Sequence, residues 1–253
     1  MVEYAKSDPL AGKSMIVTGA AQGIGRGIAQ ALAERGAGVL LVDKAEQVTA
    51  VADELGARAL VADIRDADGP GRITAAAVDA FGRLDVLVNN AIALLGSGPF
   101  AEQTDEAYDL VFDTGPRATF RLMRAAYPHL IASGGGSVIN LGSGAGTEGE
   151  AGWATYGAAK EAIRGFSEVA AQEWGPVNIR VNVVCPFANS EGMQLWEQFD
   201  PATYGAAVAK VPLQRIGDTK NDVGAVVAFL AGDDATYLTG QTIMVDGGRS
   251  GLR

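Results

Sequence analysis

TGAAQGIGRGIAQAL, residues 18–32, joins the apolar run SMIVT (14–18) to an amphipathic pattern. Gly19, Gly23 and Gly25 fall where a strand gives way to a helix. Without side chains, they let the backbone approach a pyrophosphate resting on the helix N-terminus. The spacing is G-x-x-x-G-x-G and not G-x-G-x-x-G, and a tight turn alone also explains such glycines. Their position directly after a first strand favours a nucleotide-binding turn.

Outward from this turn, short β-branched runs alternate with longer helical patterns. Strands are predicted at 14–18, 38–43, 57–62, 84–90, 136–142, 178–184 and 241–246, and helices at about 23–35, 45–55, 68–81, 104–131, 152–174 and 219–231. The strands are apolar throughout and do not alternate, as when a sheet is covered on both faces. The expected fold is α/β: a Rossmann-like, doubly wound, seven-stranded parallel sheet with helices on both faces and sites at the strands' C-terminal ends. No linker, charge block or repeat divides the chain, so residues 1–253 are read as a single domain. Residues 186–213 interrupt the pattern with Phe, Trp and Met, and an interruption of that length suits a substrate lid.

Composition narrows the function. The net charge of −10 and pI near 4.6 argue against nucleic acid and anionic membrane as partners. The single cysteine, Cys185, excludes an internal disulfide, fits a reducing compartment and lies in the apolar run VNVVCP as a core thiol. The sole histidine, His129, follows Pro128 near a helix end as a capping or surface residue, and no metal site can be built around it. The start, MVEYAKSDPL, has no apolar leader core, and no run is long enough to span a membrane. A soluble, cytoplasmic protein is expected.

Two further motifs carry chemistry. Asp43 ends the second strand about 20 residues beyond the glycines, where a carboxylate bonds the ribose 2′-hydroxyl of NAD and repels the 2′-phosphate of NADP. Gln22 supplies no cation for a phosphate, and Lys44 alone favours NADP, so NAD is preferred. Tyr156 and Lys160 form Y-G-A-A-K and share one helix face. An ammonium beside a phenol pulls its pKa down from about 10 toward a range useful to a general acid/base. Ser143, 13 residues before Tyr156, ends the strand GSVINLG at the same sheet edge.

With TGAAQGIG (18–25), Asp63-Ile64, NNA (89–91), Ser143, Tyr156-x-x-x-Lys160, Pro186 and VDGG (245–248), the chain resembles the short-chain dehydrogenases/reductases over nearly its whole length. The resemblance implies an NAD(P)-dependent oxidoreductase, usually a homotetramer, moving a hydride between nicotinamide and a carbonyl or alcohol. Tyr156 would be the acid/base and Ser143 would hold the substrate oxygen. Lys160 would bind the nicotinamide ribose and lower the tyrosine's pKa. Gly19, Gln22, Gly23 and Ile24 would form the cofactor loop, Asp63 and Ile64 would border the adenine, and Asn89, Ala91 and Pro186 would line the cleft with Tyr156 and Lys160.

The chain departs from the family at several places. Ile92 stands where glycine usually follows NNA, and Phe187 where glycine usually follows Pro186. A later threonine that contacts the carboxamide has no certain equivalent; Ser190 fits the task and Glu191 does not. The family's fourth catalytic residue, an asparagine, falls on Gly115, followed by Pro116 inside a helical pattern. Either the site is weakened, or Gly-Pro replaces the asparagine by breaking the helix and freeing carbonyls one turn earlier; the second is favoured.

The lid carries Phe187, Met193, Leu195, Trp196, Phe199 and Tyr204, with no cation before Lys210. The reading is therefore NAD-dependent interconversion of a neutral, apolar or aromatic secondary alcohol and its ketone. The alternatives are a 3-oxoacyl-thioester reductase and an NAD-binding regulator or scaffold with weak catalysis.

Overall fold

Seven parallel strands form one sheet: β1 (Ser14–Thr18), β2 (Gly38–Asp43), β3 (Arg58–Val61), β4 (Val86–Asn89), β5 (Gly136–Leu141), β6 (Ile179–Pro186) and β7 (Thr242–Val245). The computed structural model describes residues 8–250; the opening MVEYAKS, read above as lacking a leader, lies outside the described residues. Spatial order is β3-β2-β1-β4-β5-β6-β7, so the chain reverses direction between β1 and β4. Such a switch point opens a crevice at the strands' C-terminal ends, which is where open α/β sheets bind ligands.

The uninterrupted apolar strands have the expected cause. Met15 and Val17 of β1 join one core and Ile16 joins the other, so alternate residues of one strand serve opposite faces. The first core gathers Ile28, Leu32, Val48 and Val227 from α1 (Gly23–Ala33), α2 (Gln47–Leu55) and the short helix Ala225–Ala231. The second packs Ile73 of α3 (Gly69–Phe81), and Leu122 and Leu130 further along, against the other face. Cys185 is buried in β6, as read from VNVVCP.

The predicted helix 104–131 is three pieces: α4 (Asp105–Phe112), a π-helical turn (Asp113–Arg117) and α5 (Ala118–Ala132). Thr104 starts α4 by accepting a hydrogen bond from the Ala107 N–H. Pro116 has no N–H to donate, and the widened turn takes up the residue that α-helical bonding cannot accommodate. His129 lies partly buried in the last turn of α5.

After β5 comes a short helix, α6 (Gly144–Glu148), that the sequence pattern does not reveal, then α7 (Ala154–Trp174). The interruption 186–213 is largely helical, with α8 (Glu191–Phe199) and α9 (Pro201–Ala209). The last predicted helix splits likewise, into a π-helical turn at 219–224 and α10 (Ala225–Ala231).

Candidate active site

A cleft of about 360 Å³ opens at the β1/β4 switch point, lined by Gly19, Gln22, Gly23, Ile24, Asp43, Asp63, Ile64 and Ala91. These are eight of the sequence-predicted cofactor residues. The turn that begins it needs glycine for two separate reasons. Gly19 has φ +66°, and a Cβ there would lie 2.8 Å from Asn90 Nδ2 and 2.9 Å from Ala91 Cα. At Gly25 a Cβ would fall 2.1 Å from the Gly19 carbonyl oxygen, so α1 can start close to the turn only without a side chain there. Asn90 locks the arrangement: its Nδ2 donates to the carbonyls of Thr18 (2.9 Å) and Gly19 (3.1 Å).

At the β2 end, Asp43 accepts hydrogen bonds from Ala21 N–H (3.1 Å) and Ala45 N–H (3.0 Å), which fix its carboxylate at the cleft wall. Asp63 is forked by Arg65, with Nη2 to Oδ2 at 2.6 Å, and this hydrogen bond first of all holds its carboxyl below the ordinary range. Lys44 and Arg65 also line the cleft. The carboxylate of Glu191, from the start of α8, reaches the glycine turn: its Oε2 lies 2.9 Å from where a Gly23 Cβ would be. The residues therefore fit a dinucleotide through glycine cradle and acidic ribose partner, with one acid set against the anion-binding end of α1.

The catalytic candidates converge beside β5. Ser143 lies two residues past this strand in extended conformation and caps α6 by accepting from Ala145 N–H at 3.2 Å. Tyr156 and Lys160 stand one turn apart on α7, with the Lys160 Nζ 5.5 Å from the tyrosine ring centroid. The ammonium donates to the Leu141 carbonyl oxygen at 2.6 Å and is buried. Burial lowers its pKa to about 8. The expectation that lysine depresses the tyrosine is not met in this geometry. Desolvation raises the Tyr156 phenol, a hydrogen bond with Ser143 opposes that rise, and the lysine is turned to a carbonyl.

Gly115 and Pro116 are buried in the π-helical turn. Thr114 ties this turn to the cleft: its hydroxyl donates to Leu110 O at 2.7 Å and accepts from Ala93 N–H at 2.9 Å. The turn also faces α7, for a Cβ on Gly115 would lie 3.9 Å from Ala159 Cβ, the residue before Lys160.

Four predicted cofactor residues do not line the cleft. Asn89 is buried in β4 and donates from Nδ2 to Asn140 Oδ1 at 2.8 Å; Asn90 is the asparagine of NNA that lines the cleft, beside Ala91. Pro186, Tyr156 and Lys160 lie beyond its walls. Ser190 and Glu191 line it together, and Ser190 also caps α8, accepting from Met193 N–H at 3.4 Å. In the segment 186–213, Phe199 is 81% exposed and Leu195 53%, so these two side chains do not pack on the body. Trp196 and Tyr204 meet edge to face at 5.7 Å. A cation that the segment 186–213 lacks before Lys210 arrives from the far end of the chain: the Arg249 guanidinium stacks 4.6 Å over the Phe187 ring and pairs with Glu150 at 3.2 Å. No sequence signal links residues so far apart.

Comparison with known proteins agrees with this geometry. A family model described as enoyl-(acyl carrier protein) reductase matches residues 19–250. A 12alpha-hydroxysteroid dehydrogenase from Clostridium sp. is 40% identical over 250 residues, covering 94% of this chain and 96% of that protein. The 3-oxoacyl-[acyl-carrier-protein] reductase FabG of Staphylococcus aureus is 36% identical over 244 residues, covering 93% and 97%. Among solved structures, a short-chain type dehydrogenase/reductase from Mycobacterium ulcerans superposes with a TM-score of 0.90 at 28% identity, covering 95% of this chain and 90% of that one.

Proposed function

The chain belongs to the short-chain dehydrogenase/reductase family and is an oxidoreductase of CH–OH groups; on that premise we propose that it interconverts an apolar secondary alcohol and its ketone with NAD(H). The observation that carries the cofactor choice is the Asp43 carboxylate, fixed at the cleft wall by two backbone N–H groups. A ribose 2′-hydroxyl can donate to it, whereas a 2′-phosphate would meet its charge. Lys44 and Arg65 lie nearby, but Arg65 is already engaged by Asp63.

When bound, the nicotinamide supplies or accepts the hydride. This chain's residues do the rest. Ser143 orients the substrate oxygen by hydrogen bonding, and Tyr156 gives its hydroxyl proton to that oxygen in reduction or takes it in oxidation. Lys160 anchors the nicotinamide ribose. The raised pKa of Tyr156 favours the protonated form in which a general acid begins carbonyl reduction.

The lid residues 186–213, with exposed Leu195 and Phe199 and the Trp196–Tyr204 pair, support an apolar, ring-bearing substrate. The hydroxysteroid dehydrogenase relative supports the same class. The FabG relative favours a second reading, reduction of a 3-oxoacyl thioester. The carboxylates Glu191, Glu197 and Asp200 of this segment, with Asp43, suit an anionic carrier less well. A third, an NAD-binding regulator or scaffold with weak catalysis, is separated from both by turnover.

A groove on α5 and α7 lined by Phe120, Tyr127, Phe166, Val169 and Trp174 supports self-association as the family's usual homotetramer. A cytoplasmic location fits the lone buried Cys185. Turnover measured with NAD and with NADP on steroid-like alcohols, small ketones and 3-oxoacyl thioesters tests the proposal. Preference for NAD and a ring-bearing alcohol supports it; activity confined to thioesters, or none at all, overturns it.

A further inference from the structure

Two departures from the family, read separately in the sequence, touch each other in the fold. A Cβ built on Gly115 would lie 3.1 Å from Ile92 Cδ1 and 3.6 Å from Ile92 Cγ1, with Ala159 Cβ at 3.9 Å on the other side. The space a side chain at 115 would enter is thus held by Ile92, which reaches it from the end of β4. Ile92 is partly buried and also lines the cleft, between Ala91 and Ala93. One side of this side chain therefore faces the π-helical turn and the other borders the dinucleotide space.

We propose that Ile92 and Gly115 form one packing unit in which Ile92 is a positioning residue for the dinucleotide, keeping its place only while residue 115 has no side chain. The inference rests on the cleft being the dinucleotide site. Behind Gly115 stands Ala159 on α7, next to Lys160, so a side chain there cannot move freely toward the helix. The adjustable neighbour is the far end of Ile92, and because Ile92 itself borders the cleft, displacing it disturbs the cleft wall. An asparagine at 115 then acts on cofactor binding through Ile92, without touching the cofactor. A small residue at 92 removes the conflict.

The test is a double-mutant cycle on the full chain, with NADH binding followed by fluorescence and cofactor-free thermal unfolding as a second readout. Gly115→Asn is expected to weaken NADH binding by about fivefold or more, the scale of an overpacked contact. In the Ile92→Ala background the same change should move the NADH Kd by less than about twofold. If Gly115→Asn does not fold, Gly115→Ala carries the test. Alanine is the better helix former, so it should raise Tm in the Ile92→Ala background and fail to raise it when Ile92 is present. Equal effects in both backgrounds, or none in the parent, would overturn the pairing while leaving the cofactor assignment intact. A parent that binds neither NADH nor NADPH would overturn the dinucleotide reading and the inference with it.

Discussion

Lys160 Nζ lies 2.6 Å from the Leu141 carbonyl oxygen, and its charge is buried between β5 and α7. One hydrogen bond to a neutral carbonyl compensates little of the cost of burying an ammonium. Burial accordingly brings this lysine from an ordinary 10.5 to about 8. In the unfolded chain the proton stays on to higher pH, so between pH 8 and 9 the unfolded state binds more protons than the folded one. The contribution of this lysine to stability must rise with pH in that window.

The first prediction follows. Relative to Lys160→Met, the parent should gain up to about 1.4 kcal/mol of stability from pH 8 to pH 9. Cys185, pushed up to about 11 by burial, keeps its proton in the folded chain, and its titration in the unfolded chain is common to both proteins and drops out of the comparison. Urea midpoints for both proteins at the two pH values check it. A difference that stays constant with pH would mean that the lysine is solvated.

Asp43 should govern cofactor choice. The parent is expected to bind NADH at least about tenfold tighter than NADPH, about 1.4 kcal/mol. Asp43→Ala should narrow that gap, since it removes both the 2′-hydroxyl acceptor and the charge facing a 2′-phosphate. Equal Kd values in the parent would sink the assignment.

Glu191 opposes the same ligand from the other end of the cleft. Its carboxylate sits at Gly23, where α1 presents its N-terminus, so a pyrophosphate arriving there meets a like charge. Glu191→Gln should tighten NADH binding severalfold at low salt, with the gain shrinking as ionic strength screens it. Weaker binding in the variant would show that the acid helps to hold the cofactor.

Pro116 keeps the π-helical turn open by lacking an N–H. Pro116→Leu restores the donor and lets α4 and α5 close toward a continuous helix, shifting Thr114 away from Ala93 N–H and the turn away from Ala159. Turnover should fall more than in Gly115→Ala, with the far-ultraviolet circular dichroism retained. A variant with parental kcat would make the turn incidental.

Much of this was legible before folding, for physical reasons. Strands covered on both faces read as unbroken apolar runs, so β1 and β2 match their predicted limits. Gly115-Pro116 announced a broken helix, but the form of the break depends on packing around Thr114, which local sequence does not encode. The helix α6 was hidden because Gly144-Ala145-Gly146 is a poor helical sequence, held by the Ser143 cap. In 186–213 the signals for α8 and α9 were present as Ser190 and Asp200 caps and Pro201 in the first turn. The aromatic content of that stretch drew the reading toward a lid without its helices. Gly19, Gly23 and Asp43 were legible because their roles are set by backbone position. That Asn90 and not Asn89 borders the cleft was not, since it depends on where β4 ends: Asn89 is its last residue, with its amide on Asn140 across the sheet, and Asn90 lies past it.

The most direct measurement of the central claim is Tyr156→Phe, with NADH affinity and turnover determined on the same preparation and one accepted alcohol. Phenylalanine keeps the ring against Trp153 and removes only the proton donor. NADH binding should survive while kcat falls roughly 10²–10⁴-fold, the range of a lost general acid/base. A variant that binds NADH and keeps most of its turnover would contradict the account and place the chemistry on another residue.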